Sequence, residues 1–339
     1  MTVVPTGRRS ESSATAKDMK RILVIRGGAI GDFILTLPTL KALRDAYPHA
    51  HIDILGYKNI AVLAEHRFYA QAVRSIEYGP LASFFAKNSE LSADLADYFA
   101  GFELIISYLY DPDGIFEMNL RRCGVENLIH GPAKIDNQKH AAEQLARPIR
   151  EIGASISDFA AKLYPSGEDR RVAAKFLGDD AGTIIAFHPG SGSEKKNWPL
   201  ENWIDLGNHL LSQKDFGGPI MIVYGEADED QVARLESIWA NRRVRFANGL
   251  PLPHVAALLE NAIFVGHDSG ISHLAAAAGA NCILLFGPTD PEVWGPRNEN
   301  VRVIRAPEGD LRQLDLDPVR NALDHALMRI GISTYRNGV

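Results

Sequence analysis

Twice along this chain, short apolar runs of strand length alternate with helix-length stretches, and that alternation narrows the fold more than any other feature. From Arg21 to about Gly131 the strand-like runs are "RILVI", "HIDILGY", "VRSIEYG", "ELIISYLY" and "NLIHG". Helical patterns separate them, among them "LTLPTLKALRDAYP", "NIAVLAEHRFYAQA" and "SELSADLADYFAGF", and "HAAEQLARPIREIGA" reads as a helix closing this half. "LYPSGEDRR", with its Pro, Gly and charge run, is the best linker candidate. A second alternation follows, through "TIIAFHPG", "PIMIVYG", "IFVGHDSG" and "NCILLFGPTD". Strand–helix alternation implies a parallel sheet with helices on both faces. The expectation is an α/β chain of two Rossmann-like domains, over 20–160 and 170–315, facing each other across a cleft. A C-terminal helix and tail over 316–339 and a disordered tail over 1–19 complete it. Open sheets of this kind bind ligands at the carboxyl ends of their strands.

Length and charge agree with two domains and exclude some functions. A chain of 339 residues exceeds what one core usually serves. Apolar and charged contents of 46% and 23% are those of an ordinary globular protein. A net charge of −6 provides no broad basic field, which argues against nucleic acid as a partner. Cys123 and Cys282 form no CxxC pair and read as reduced thiols. The polar start "MTVVPTGRRSESSATAKDMK" lacks the apolar core of a signal peptide, and no apolar run approaches the roughly 20 residues of a membrane span. A cytoplasmic enzyme or binding protein is expected.

Three stretches carry chemistry. "RGGAIGDFILTLPTL", from Arg26, follows the first strand, and Gly27, Gly28 and Gly31 permit a tight turn with close backbone approach. A dinucleotide fingerprint would need glycine at position 26 and an acid closing the second strand about 20 residues on. Arg26 stands at the first position and Asp53 falls inside the second strand, so the nicotinamide reading fails. Asp32 sits in the first turn of the next helix, either as a reactive carboxylate or as an acid favoured by the helix dipole. The second stretch, "FHPGSGSEKKNWPLENW", joins Ser191 and Ser193 to Lys195 and Lys196, and backbone amides plus an ammonium suit a diphosphate. A solvated loop would look the same, and Trp198 and Trp203 read as packing residues. The third, "IFVGHDSGISHLAAAAGA", starts a helix with Ser269, Gly270 and Ser272, leaving amides open to an anion, with Asp268 and His273 alongside. In "FGPTDPEVWGP", Thr289 and Asp290 suit either ligand contact or turn formation.

Together, the Asp32 loop, "KKNWP", "HDSGISHLAAAAG", "FGPTDP" and "KHAAEQLARPI" resemble glycosyltransferase family 9, the bacterial lipopolysaccharide heptosyltransferases, over roughly residues 20 to 330. The resemblance implies the two-domain GT-B fold, with acceptor on the N-terminal half and nucleotide-sugar on the C-terminal half. It assigns the general base to Asp32, leaving-group stabilisation to Lys196, and diphosphate and sugar contacts to Asp268, Ser269, Gly270 and His273. Ser191 and Ser193 would contact the same phosphates. In "YGEADE" the family's ribose-binding acid is offset, so Glu226 substitutes, with Asp228 as rival. Gly27, Gly28 and Gly31 would form the acceptor-side loop. Asp111 and Asp113 of "YDPDG" match a metal motif of another glycosyltransferase fold but read here as a turn or acceptor contact. Arg26, Arg67, Arg121, Arg122 and Lys139 are candidates for an anionic acceptor. The stretch "RVIRAPEGDLRQLDLDP" lacks the cysteine many family members carry there.

The expected activity is inverting, metal-independent transfer of heptose from ADP-heptose to a lipopolysaccharide-core-like acceptor, with no cofactor. The expected partners are a nucleoside-diphosphate sugar and an anionic glycan or lipid-linked acceptor, met in the cytoplasm or peripherally at the inner membrane face. The alternatives are a same-fold transferase with another nucleotide-sugar, a GT-B-fold sugar-nucleotide epimerase, and a non-enzymatic sugar-nucleotide-binding protein.

Overall fold

The computed structural model describes residues 19–178, 182–213, 216–240 and 242–332. The tail expected over 1–19 falls outside these residues except for Met19, which packs against the core.

Five strands form the first sheet: β1 (Arg21–Arg26), β2 (His51–Gly56), β3 (Ala72–Ser75), β4 (Leu104–Ser107) and β5 (Leu128–His130). All pair in parallel, in the order β3-β2-β1-β4-β5. The second sheet holds β6 (Ile185–His188), β7 (Ile220–Tyr224), β8 (Val244–Asn248), β9 (Ile263–His267), β10 (Asn281–Phe286) and β11 (Val301–Arg305). It is also parallel, in the order β11-β10-β9-β6-β7-β8. The central strands are near-continuous apolar runs because both faces are covered, and Ile22, Leu23, Val24 and Ile25 are all buried.

In the first half, α1 (Ile30–Ala46), α2 (Lys58–Ala61), α3 (Ala93–Ala100) and α4 (Ile115–Arg122) lie between the strands, and α5 (Ala141–Leu145) and α6 (Arg147–Glu151) follow them. In the second, α7 (Gly167–Leu177) leads into β6, and α8 (Leu200–Ser212), α9 (Glu229–Trp239), α10 (Leu252–Leu259), α11 (Gly270–Ala278) and α12 (Pro291–Trp294) connect later strands. Last, α13 (Leu316–Arg329) packs back on α8, β9 and β10.

Each sheet has one switch point, where successive connections leave in opposite directions: between β1 and β4, and between β6 and β9. Crevices open there at the carboxyl ends of the strands. One buried core runs through both halves, because α1 packs directly on α11, where Gly31 and Gly270 allow close approach.

Four local expectations are corrected. The helix expected over 59–72 stops after Ala61: the chain goes on in tight turns, with Leu63, Ala64 and Glu65 N–H donating three residues back, and leaves them at His66, whose φ is 53°. The closing helix is divided into α5 and α6, with Pro148 at the start of the second. The linker candidate contains the start of α7, set by a reciprocal Ser166–Asp169 cap. Strands β8 and β11 had no counterpart in the sequence reading.

Candidate functional site

On the N-terminal side the chain leaves β1 through Gly27 and Gly28 and turns into α1. Gly28 has a φ of +95°, and a Cβ there would lie 2.8 Å from the Asp32 carboxylate, so turn and acid exclude a side chain together. Asp32 Oδ2 accepts from the Ala29 N–H at 2.9 Å, and Oδ1 lies 3.5 Å from the buried Arg26 guanidinium. The carboxylate is still 37% exposed, so it is within reach of a ligand. It opens into a cavity of about 530 Å³ whose wall includes Arg26, Gly27, Gly28, Tyr57, Tyr110 and Lys134. The Lys134 ammonium sits 4.6 Å from the centre of the Tyr110 ring, a cation–π contact that the sequence reading missed.

On the C-terminal side the loops after β6, β9 and β10 converge. Asp268 Oδ2 accepts from Lys196 Nζ and from Thr289 Oγ1, each at 2.6 Å, so one carboxylate ties all three loops. His267, also unpredicted, anchors the phosphate-loop candidate. Its Nε2 accepts from the Trp198 N–H at 2.8 Å, and its Nδ1 donates to the Gly190 carbonyl at 3.2 Å. Burial pushes its pKa down to about 3, so the ring stays neutral and can do both. The Ser191 hydroxyl lies 2.7 Å from both the Ser193 carbonyl and Asn197 Oδ1, and Ser193 is exposed. Ser269 caps α11, accepting from the Ser272 N–H at 3.3 Å. With Gly270, Ser191, Gly192, His188 and Asp228 it lines a second cavity of about 320 Å³.

Asp228 is buried, accepts from the Gly225 N–H at 3.2 Å, and leaves no room for a Cβ on Gly190. Glu226 is exposed and is not part of that cavity wall. Of the two rivals, Asp228 is the one that meets the crevice.

The two sides meet where α1 and α11 cross. A Cβ on Gly270 would approach the Ile30 Cβ to 2.7 Å, and one on Gly31 would come within 3.3 Å of the His273 ring. Gly31 therefore serves helix contact, while Gly27 and Gly28 line the cavity. His273 is buried beneath this crossing, its pKa pushed down to about 4 by desolvation against the opposing pull of Asp268. His140, from the "KHAAEQLARPI" segment, donates from Nε2 to the Gly295 carbonyl at 2.7 Å, joining the halves at a second point.

Asp113 and Lys139 are exposed, and several other candidates are committed elsewhere. Asp111 accepts from the Phe116 and Glu117 amides, so its motif is a turn holding the start of α4. Arg67 pairs with Asp169 at 2.5 Å, Arg121 donates to the nearby Val125 carbonyl, and Arg122 donates to the distant Ser89 carbonyl. Trp198 and Trp203 are buried packing residues, their rings 5.4 Å apart.

A family model, glycosyltransferase family 9 (heptosyltransferase), matches residues 140–319. Lipopolysaccharide heptosyltransferase 1 of Escherichia coli O18:K1:H7 is 27% identical, over 90% of this chain and 97% of its own length. The crystal structure of a family 9 glycosyltransferase from Veillonella parvula superposes with a TM-score of 0.75 at 19% identity, covering 94% of this chain and 100% of that one. The E. coli heptosyltransferase WaaC with ADP gives 0.67 at 22% identity, covering 90% and 99%. These matches and the paired parallel sheets are those of a GT-B enzyme: the chain belongs to glycosyltransferase family 9, the heptosyltransferases, and is a glycosyltransferase.

Proposed function

We propose that the protein transfers heptose from ADP-heptose to a lipopolysaccharide-core acceptor with inversion at the anomeric carbon. The carrying observation is the crossing of α1 and α11, where Gly31 and Gly270 bring the turn that bears the exposed Asp32 carboxylate against the start of α11, next to the Asp268 that holds the Lys196 ammonium. In this reading the N-terminal half, over 20–160, takes the acceptor in the 530 Å³ cavity, and the C-terminal half, over 170–315, takes the donor in the 320 Å³ one. Separate cavities favour transfer between two substrates over epimerisation of one.

Asp32 removes the proton of the acceptor hydroxyl as that oxygen attacks the anomeric carbon. The bond to the diphosphate breaks on the opposite face, and its charge falls to Lys196 and the amides of α11 after Ser269. Lys196 is paired with Asp268 in this structure, so an arriving diphosphate competes for it. Ser191 and Ser193 border the phosphates and Asp228, in place of Glu226, the ribose, while the buried His273 supports the crossing beneath them. Lysine and amides carry the charge in this reading, so a chelator leaves the rate unchanged. Among the described residues no helix is long and apolar enough to cross a membrane, and we place the enzyme peripherally at the inner membrane face, where a lipid-linked acceptor is presented.

The test is transfer from ADP-heptose to heptose-free core. Asp32→Ala should lower kcat by on the order of 100-fold or more with ADP affinity retained. Lys196→Ala should weaken ADP binding and lower kcat together. Near-full activity of Asp32→Ala would remove the base assignment, and an absence of ADP binding would remove the donor reading.

A further inference from the structure

We propose that Arg26 is a positioning residue for Asp32: its guanidinium clamps the first turn of α1 from behind and fixes where the carboxylate points. This rests on Asp32 acting as the general base.

Arg26 ends β1, next to the switch point, and is only 8% exposed. Its Nε donates to Thr36 Oγ1 at 2.9 Å and its Nη2 donates to the Asp32 carbonyl at 3.0 Å. Thr36 Oγ1 in turn donates to the same carbonyl at 2.8 Å, closing a ring of three residues around the backbone of the acid. Nη2 also lies 3.5 Å from Asp32 Oδ1, the one carboxylate within ion-pair distance of Arg26 among the described residues. The Tyr108 ring, 5.5 Å away, lies against the guanidinium.

Taking a guanidinium out of water is costly unless its N–H groups are matched. Two of the polar groups that match this one belong to Asp32, and the third belongs to a residue bonded to Asp32. With Oδ2 accepting from Ala29 and Oδ1 drawn towards Arg26, both oxygens are steered by groups on the protein side. Their outward lone pairs are left for a hydroxyl arriving in the cavity that Arg26 and Asp32 share. Misdirecting a base slows proton removal without loosening either substrate.

Steady-state transfer, with ADP binding by calorimetry and folding by circular dichroism, tests this in four variants. Arg26→Met should lower kcat on the order of 10- to 100-fold, with acceptor KM and ADP affinity within about twofold. Arg26→Lys, which keeps charge without the fork, should recover part of the loss. Thr36→Val should lower kcat several-fold and Thr36→Ser should not. This pair decides the matter if Arg26→Met does not fold. Unchanged kcat in Arg26→Met, or in folded Thr36→Val, overturns the proposal. So does a loss confined to acceptor KM, which would make Arg26 an acceptor contact. If Asp32→Ala stays active, it is the base assignment that fails, a result these variants do not mimic.

Discussion

Two acids two residues apart compete for one role, and burial separates them. Glu226 lies exposed at the first position of a single turn, whereas Asp228 closes that turn, accepts from the Gly225 N–H, abuts Gly190 and lines the cavity. A carboxylate that recognises a ribose hydroxyl must already lie in the crevice, and one charge-assisted hydrogen bond contributes about 1.5–3 kcal/mol. Asp228→Asn should therefore weaken ADP binding about tenfold or more, while Glu226→Gln should leave it within about twofold. Calorimetric titration decides between them, and the reverse ranking would return the ribose to Glu226.

At the scale of elements, the crossing of α1 and α11 rests on two glycines, one of which, Gly31, the sequence presents as a loop residue, and the other, Gly270, as part of an anion-binding helix start. A methyl on Gly270 meets Ile30 at 2.7 Å and the Gly31 amide nitrogen at 3.1 Å, and two helix termini cannot yield as a flexible side chain does. Overpacking of this kind costs about 1–3 kcal/mol. Gly270→Ala should show that loss in urea melts together with a fall in kcat/KM, because the helices carrying Asp32 and Ser269 are forced apart. Gly27→Ala, whose nearest neighbour is 3.9 Å away, should keep full stability. Equal stability of the two variants would remove the crossing from the account. What the sequence left legible follows the same division. Apolar runs such as "RILVI" and "NCILLF" announce buried parallel strands, and "HDSGISH" announces a helix start. The edge strands β8 and β11 alternate with exposed positions and carry no such run. Asp32, Lys196 and the start of α11 were readable because small residues and charges sit beside strand ends. His267 and Lys134 were not, because a histidine inside an apolar strand and a lysine in a loop acquire their roles only through partners distant in sequence, Trp198 and Tyr110.

Neutral histidines are buried at the second sheet's switch point and at the seam between the halves, and this determines how the whole molecule responds to acid. His188, His267 and His273 are buried at the second sheet's switch point and His140 at the seam between halves, and burial lowers the pKa of each. His188 donates from Nδ1 to the Val223 carbonyl at 2.8 Å, again as a neutral ring. In the unfolded chain each titrates near 6.5, whereas folded His273 and His267 resist protonation down to about 4 and about 3. Below pH 6.5 the unfolded state therefore binds more protons than the native one, and stability falls as the pH falls. Each histidine that stays neutral while its unfolded counterpart is charged weakens the folding equilibrium about tenfold per pH unit. Asp169, whose pKa is lowered from 3.8 by the Arg67 and Ser166 bonds that outweigh its burial, adds a loss of the same sign only in more acid solution. The interval from pH 6.5 to about 4.5 thus belongs to the histidines. Urea melts at pH 7.5, 6.0 and 5.0 should show a steepening loss of stability across that range, and His273→Gln should flatten it by one histidine's share. A flat profile between pH 7.5 and 5.0 would mean that these rings accept protons in the folded protein and that the seam is not held by neutral imidazoles.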